Sequence, residues 1–129
     1  MTKRLTVSDA TIDKDRFIVT LSETIHSDKL QASGRMLVDS DQLAFIYIVD
    51  SDDGYIYLQF KTELWPKLKA ALVQGCPAFL VMDDRKPLEL SNFHKEINYL
   101  IENISENPNY GEQTVAEVGR YFSEQNVND

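Results

Sequence analysis

Leu43-Ala44-Phe45-Ile46-Tyr47-Ile48-Val49, followed by Asp50-Ser51-Asp52-Asp53-Gly54 and then by Tyr55-Ile56-Tyr57-Leu58-Gln59-Phe60, is the stretch whose reading decides the fold. Its first run is too short for a helix of ordinary length and rich in β-formers. It reads as a strand that is apolar on both faces and lies inside a sheet. Asp and Ser side chains can bond local amides, and Gly54 accepts positive φ, so Asp50 to Gly54 predicts a five-residue hairpin loop. With Val49 opposite Tyr55, the pairs below are Ile48 with Ile56, Tyr47 with Tyr57, Ile46 with Leu58, Phe45 with Gln59 and Ala44 with Phe60. Because side chains alternate along a strand, one face is then aliphatic (Ile46, Ile48, Ile56, Leu58, with Phe60), and the other carries Phe45, Tyr47, Tyr55 and Tyr57. A slip of one residue would mix the two sets. The aliphatic face is expected under the helices. The aromatic face is either covered by the N-terminal strands or offered to a partner or a second copy, since Tyr joins a large apolar body to a polar tip.

Working outward, Leu5 and Val7 alternate with polar neighbours, as do Phe17, Val19 and Leu21, with turn residues between them. Two half-buried antiparallel strands follow. His26 to Lys29 reads as a loop, and Ala32, Gly34, Met36 and Val38 share one side of a third strand that leads in a meander to the central one. After Phe60 the period changes. Leu64, Trp65, Leu68, Ala71 and Leu72 predict a helix that Pro66 forces to begin near Trp65 and Gly75 ends. Ala78 to Met82 predicts a short strand, Asp83 to Lys86 a turn, and Pro87 to Leu90 an edge strand. Phe93, Ile97, Leu100, Ile101 and Ile104 form a buried helical stripe, capped by Ser91 or Asn92 and ended by Asn107-Pro108. A last helix is expected from Glu112 to Ser123, with Val115, Val118 and Phe122 inward and a frayed tail over Gln125 to Asp129.

The 129 residues suit a single domain, 1–129, that needs no disulfide staple. Lys and Arg number 13 against 21 Asp and Glu, and the net charge of −8 argues against nucleic acid and anionic membranes as partners. A lone cysteine, Cys76, suits a reducing cytoplasm. Met-Thr-Lys-Arg runs directly into alternating residues, with no apolar leader and no spanning segment, which also places the chain in the cytoplasm.

Few constellations carry chemistry. Val38-Asp39-Ser40-Asp41 recurs as Val49-Asp50-Ser51-Asp52, yet the strand between them spans up to roughly 36 Å, so the carboxylates cannot share one ion. The second cluster also departs from the calcium-loop spacing, and both read as turn caps. Cys76 and His94 are the sole thiol and imidazole candidates, and Gly75 and Pro77 around Cys76 offer no activating group. No phosphate loop, nucleophile elbow or zinc spacing is present, so no catalytic residue, metal or cofactor is expected. Glu96, Tyr99 and Asn103 recur along one side of their helix, away from its buried stripe. They mark either local packing or a partner surface.

Gly34-Arg35-Met36-Leu37-Val38-Asp39-Ser40-Asp41 with Ala44-Phe45 and Tyr47, Phe93-His94 with Glu96 and Tyr99, Asn103-Ile104, and Asn107 with Asn109-Tyr110-Gly111 together span most of the chain from Gly34 onward. In these pieces the chain resembles an uncharacterised protein family (UPF type) of small acidic proteins from bacilli-type Gram-positive bacteria. Pro108 departs from the less constrained residue expected between the two asparagines. The resemblance brings no catalytic residues with it, and it directs attention to the first acidic turn and the Asn-rich connection.

The sequence therefore predicts an α+β domain: an antiparallel sheet of roughly five to seven strands with two to three helices, in the C-terminal half, mainly on one face. The expected function is a non-enzymatic protein-interaction or regulatory module that binds a protein partner or a second copy. Its candidate surface comprises Phe45, Tyr47, Tyr55 and Tyr57, or Glu96, Tyr99 and Asn103. The alternative is a small enzyme or small-ligand-binding protein with its site near Asp39, Asp41 and Tyr110.

Overall fold

A computed structural model describes residues 2–27, 29–82, 85–105 and 107–122 of the chain. Its strands are β1 (Thr2–Asp13), β2 (Arg16–Leu21), β3 (Leu30–Asp39), β4 (Ala44–Ser51), β5 (Gly54–Lys61), β6 (Ala78–Leu80) and β7 (Leu88–Glu89). The helices are α1 (Trp65–Gln74), α2 (Phe93–Ile104) and α3 (Glu112–Phe122). Asp28, Asp83, Asp84, Ser123 and the tail expected over Gln125 to Asp129 lie outside the described residues.

One seven-stranded sheet runs in the order β3-β4-β5-β1-β2-β6-β7. It is mixed rather than wholly antiparallel. β1/β2, β3/β4, β4/β5 and β6/β7 are antiparallel, as local alternation predicts, whereas β1/β5 and β2/β6 are parallel. The meander is confined to β3-β4-β5. The β1–β2 hairpin does not continue into β3; instead β1 crosses to lie beside β5. Parallel pairing joins segments distant in sequence, so no turn signal announces it. β1 links the two halves: Thr2 to Thr6 pair with Tyr55 to Gln59, and beyond an irregularity between Val7 and Asp9 the strand pairs with β2. The sheet curls until its edge strands β3 and β7 approach one another.

The hairpin differs from the sequence reading by one residue. Ser51 pairs with Gly54 across a two-residue turn of Asp52 and Asp53, which puts Val49 opposite Ile56, Tyr47 opposite Leu58 and Phe45 opposite Phe60. Two hydrogen bonds shorten the loop. Ser51 Oγ donates to Gly54 O at 2.7 Å and accepts from Asp53 N at 3.2 Å, and Gly54 takes φ 118°. At the other end Leu43 is not a strand residue; it turns the chain with φ 51° before β4 starts at Ala44.

That shift changes which face the helices cover. Phe45, Tyr47 and Val49 join Ile56, Leu58 and Phe60 in the core beneath Trp65, Leu68, Phe93, Ile97, Val118 and Phe122. The expected aliphatic set is thereby split, because Ile46 and Ile48 point to the opposite face, where they are nonetheless buried. Phe45 and Tyr47 are fully buried and form no part of an exposed aromatic surface. The core under the helices is instead aromatic: Phe45 lies 5.0 Å from Trp65 and 5.6 Å from Phe122 between ring centroids, and Phe93 lies 5.6 Å from Phe60 and 6.1 Å from both Phe17 and Tyr47.

The helices begin and end for identifiable reasons. A 3₁₀ turn over Thr62–Leu64 precedes α1, whose early Pro66 needs no donor, and Gly75 at φ 70° ends it. Asn92 precedes α2 in the left-handed conformation at φ 60° and makes no side-chain cap, contrary to the expected Ser91 or Asn92 cap. The N-terminus of α2 is held by a joint to β3. Tyr47 Oη donates to Ser91 O at 2.8 Å and accepts from Gly34 N at 3.2 Å, and Glu96 Oε1 accepts from Met36 N at 3.1 Å. Gly34, at φ 75° within the irregular stretch of β3, packs so closely here that an added Cβ would sit 2.9 Å from Asn92 Nδ2.

Gly34→Ala should therefore destabilise the fold by about 1–2 kcal/mol from the backbone term alone, and further through the Asn92 contact. Gly75→Ala, which meets nothing within 4 Å, should show only the backbone term. Urea unfolding of both variants separates the two contributions. Tyr47→Phe leaves Gly34 N and Ser91 O without their partner and should cost about 1–2 kcal/mol. Burial, the largest influence, pushes the Tyr47 hydroxyl above the ordinary phenol range. Its contribution to stability is full below the unfolded value of about pH 10 and is lost as pH rises through the folded value. Urea midpoints followed through that range should fall in the wild type and show less of this fall in Tyr47→Phe.

Candidate functional site on the helix-free face

On the face of the sheet away from the helices, β4 presents Ile46 and Ile48, β5 presents Tyr55, Tyr57 and Gln59, and β1 presents Arg4 and Thr6. Arg4 organises this surface. Its Nη1 donates to Asp39 Oδ2 at 2.7 Å and to Gln59 Oε1 at 3.1 Å, and its Cζ stands 5.9 Å from the centre of the Tyr57 ring. Gln59, a buried polar residue, passes the network on by donating from Nε2 to Thr6 Oγ1 at 3.4 Å. Asp39 belongs to β3, so the bridge from β1 passes over β5 and β4. Ile46, on this same face, has no contact with solvent.

Asp39 is fully engaged. While Oδ2 receives Arg4, Oδ1 accepts from Asp41 N at 3.0 Å and from Gln42 N at 3.1 Å, closing the β3–β4 turn. The Arg4 guanidinium, first, and these amides hold its carboxyl below the usual aspartate range against the opposing effect of burial. Beside this network Arg35 places its Cζ 6.0 Å from the centre of the Tyr55 ring. Two tyrosines thus each carry a guanidinium on a face that no helix covers. Tyr55 is 44% exposed and Tyr57 half-buried.

The other residues singled out from the sequence are distributed as follows. Tyr99, 63% exposed, lies on the outer side of α2, beside a shallow depression shared with Lys95, Asn98 and Glu102. This is the opposite side of the sheet from Tyr55 and Tyr57. Glu96 closes the free edge of β3 through Met36 N. Asn103 Nδ2 donates to Tyr99 O, Asn107 Nδ2 donates to Asn103 O, and Asn107 Oδ1 accepts from Asn109 N, a chain that takes up backbone groups after α2. Asp39 and Asp41 share one turn, but Tyr110 packs against the core under the helices and has no hydrogen bond to either. His94 Nε2 meets the backbone carbonyl of Cys76, whose thiol is buried. Among the described residues no three of His, Cys, Asp and Glu are placed to hold a metal ion, and no helix is long and apolar enough to cross a membrane.

The model of the UPF0738 family, a family of unknown function, matches residues 5–122 of this chain. The chain belongs to that family. The UPF0738 protein of Bacillus licheniformis is 42% identical over 122 residues, which cover 95% of this chain and 99% of the relative. UPF0738 protein YjbL of Bacillus subtilis is 38% identical with the same coverage, and the relative from Geobacillus kaustophilus is 49% identical over 90 residues, 70% of this chain and 71% of its own. No solved structure matches the chain. The residues that carried the sequence resemblance fall at four places: Gly34 to Asp41 along β3 and its turn, Ala44, Phe45 and Tyr47 on β4, Phe93 to Tyr99 at the α2 joint, and Asn103, Ile104, Asn107 and Asn109 to Gly111 along the asparagine chain.

Arg4, Arg35 and Gln59 escaped sequence reasoning because they meet only through the parallel β1/β5 pairing and the curl of the sheet. The one local signal was Arg4 alternating with the inward Leu5 and Val7. Asp39→Asn keeps an acceptor for the turn and removes the charge. At neutral pH it should lower stability by a few tenths to about 1 kcal/mol, the scale of a bridge open to solvent on one side. Because the folded carboxyl is depressed, the charge contributes fully above the unfolded value of about 3.9 and is lost as pH falls through the folded value. Wild type and variant should converge in urea midpoint over that acid range.

Proposed function

We propose that the protein is a non-enzymatic interaction module of the cytoplasm that binds a protein partner through the helix-free face of its sheet. One observation carries this reading: Tyr55 and Tyr57, each beside a guanidinium, lie on a sheet face without a covering helix, and Tyr55 is 44% exposed. Tyr and Arg dominate the residues that contribute most to protein interfaces, since both offer large rigid planes with polar ends. The Arg4, Gln59 and Asp39 network holds the surface in shape before any partner arrives, which lowers the ordering cost of association. A single buried thiol, Cys76, is compatible with a reducing compartment. A site built on Asp39, Asp41 and Tyr110 has less support, because both Asp39 oxygens are already occupied and Tyr110 belongs to the helical side.

The test is photocrosslinking in living cells with a photoreactive amino acid at position 55, against a control at Val73, which is 66% exposed on α1. A discrete covalent product from position 55 and none from position 73 is expected, and its mass tells a second copy of the chain from another protein. Crosslinking from position 55 no greater than from position 73 would remove this surface as the binding face. A product abolished by Tyr57→Ser in a folded variant would tie the contact to the tyrosine pair.

A further inference from the structure

At the end of the sheet where β1 begins and the Asp52–Asp53 turn closes, Ile25, His26 and Ser27 of the β2–β3 connection help to enclose a cleft of about 680 Å³. Ile25 and Ile56, both buried, line it together with Tyr55, while Lys3, His26 and Asp53 bring ionisable groups to it. That volume lies within the range of pockets that hold metabolite-sized ligands.

The wall formed by the β2–β3 connection lacks regular secondary structure, yet it is pinned from two sides. Arg85 donates to Ser27 O at 2.6 Å and to Ile25 O at 3.1 Å. From the opposite side Ser27 Oγ donates to Lys29 O at 3.1 Å and accepts from Asp52 N at 3.4 Å, tying the connection to the β4–β5 turn. The cleft is therefore preformed, and a ligand need not order the segment that encloses it.

Its charges are uncommitted. The side chains of Lys3 and His26 make no hydrogen bond or ion pair among the described residues, although the chain carries 21 acidic side chains and a net charge of −8. The Asp53 amide donates to Ser51 Oγ, and among the described residues its carboxylate has no partner. Two basic groups and one carboxylate thus share an apolar cleft without neutralising one another.

We propose that this cleft binds a small organic monoanion with an apolar body. The anionic group meets Lys3 and His26, the body lies on Ile25, Ile56 and Tyr55, and Asp53 accepts a hydrogen bond from the ligand while opposing a second negative charge. Ring-bearing and branched-chain carboxylates and sulfonates share the required chemistry. Asp53 favours those with one charge and a donor.

Two fluorescent probes of nearly the same shape, anilinonaphthalene sulfonate and the uncharged N-phenylnaphthylamine, test this in the intact protein. The sulfonate should bind with enhanced emission, and the neutral probe about tenfold more weakly. Lys3→Ala combined with His26→Ala should weaken the sulfonate by about tenfold and leave the neutral probe unchanged. Asp53→Asn should strengthen sulfonate binding. All three residues are exposed, so each variant retains the core. Equal binding of the two probes, or sulfonate binding indifferent to Lys3 and His26, would show adventitious hydrophobic association and overturn the proposal. Arg4→Ala, on the helix-free face, should leave probe binding unchanged, and the Lys3 and His26 variant should leave crosslinking from position 55 unchanged, so the ligand site and the partner surface fail separately.

Discussion

Burial of β4 from both sides is the constraint on which the rest of the structure depends. Phe45, Tyr47 and Val49 fill the core under three helices, and Ile46 and Ile48 are buried on the reverse face beneath a polar network. A strand buried twice needs cover twice. The helices supply one layer through two aromatic groups, Trp65 and Phe122 around Phe45, and Phe93 against Tyr47 and Phe60. On the other face, among the described residues, no helix forms a second layer, and Arg4 of β1 reaches over two strands to Asp39 of β3. Long charged side chains can shield apolar surface with their stems while their heads stay hydrated.

The same strand sets the position of α2. Tyr47 buries its ring against Phe93 and spends its hydroxyl on Gly34 and Ser91, so one residue couples the core to the edge of the sheet. Glu96 then accepts from Met36 N on the outer side of β3. An unpaired edge amide is a template for association with another strand, and satisfying it with a helix-borne carboxylate blunts that edge. At Met36 the β3 edge is therefore closed to strand addition.

Much of this architecture was legible because local chemistry decides local structure. The α2 stripe, the start of α1 at Trp65 forced by Pro66, its end at Gly75 and the interior position of the β4 strand all follow from side chains near one another in sequence. Register was not legible, because it depended on the loop. Asp50 and Ser51 have the composition of turn residues, yet Ser51 Oγ bonds both Asp53 N and Gly54 O and draws the chain into a two-residue turn. One residue of slip exchanged the partners of every β4 side chain, which is how Tyr47 passed from candidate surface to core. Parallel pairing of β1 with β5 was equally hidden, and with it the encounter of Arg4, Gln59 and Asp39.

The two acidic clusters at the ends of β4 have separate consequences. At the β3–β4 end Asp39 is consumed by the turn and by Arg4, and its charge helps to cover the sheet. At the β4–β5 end the turn is closed by Ser51, which leaves the Asp53 carboxylate free at the rim of the cleft with Lys3 and His26. Turn chemistry that uses hydroxyls in place of carboxylates is what makes the difference. A carboxylate committed to backbone amides can hold a fold together but cannot also recognise a ligand. Its uncommitted counterpart contributes little to the fold and remains available for recognition. The Asp53 carboxylate at the β4–β5 end of the sheet is of this second kind, and the proposed ligand cleft lies beside it.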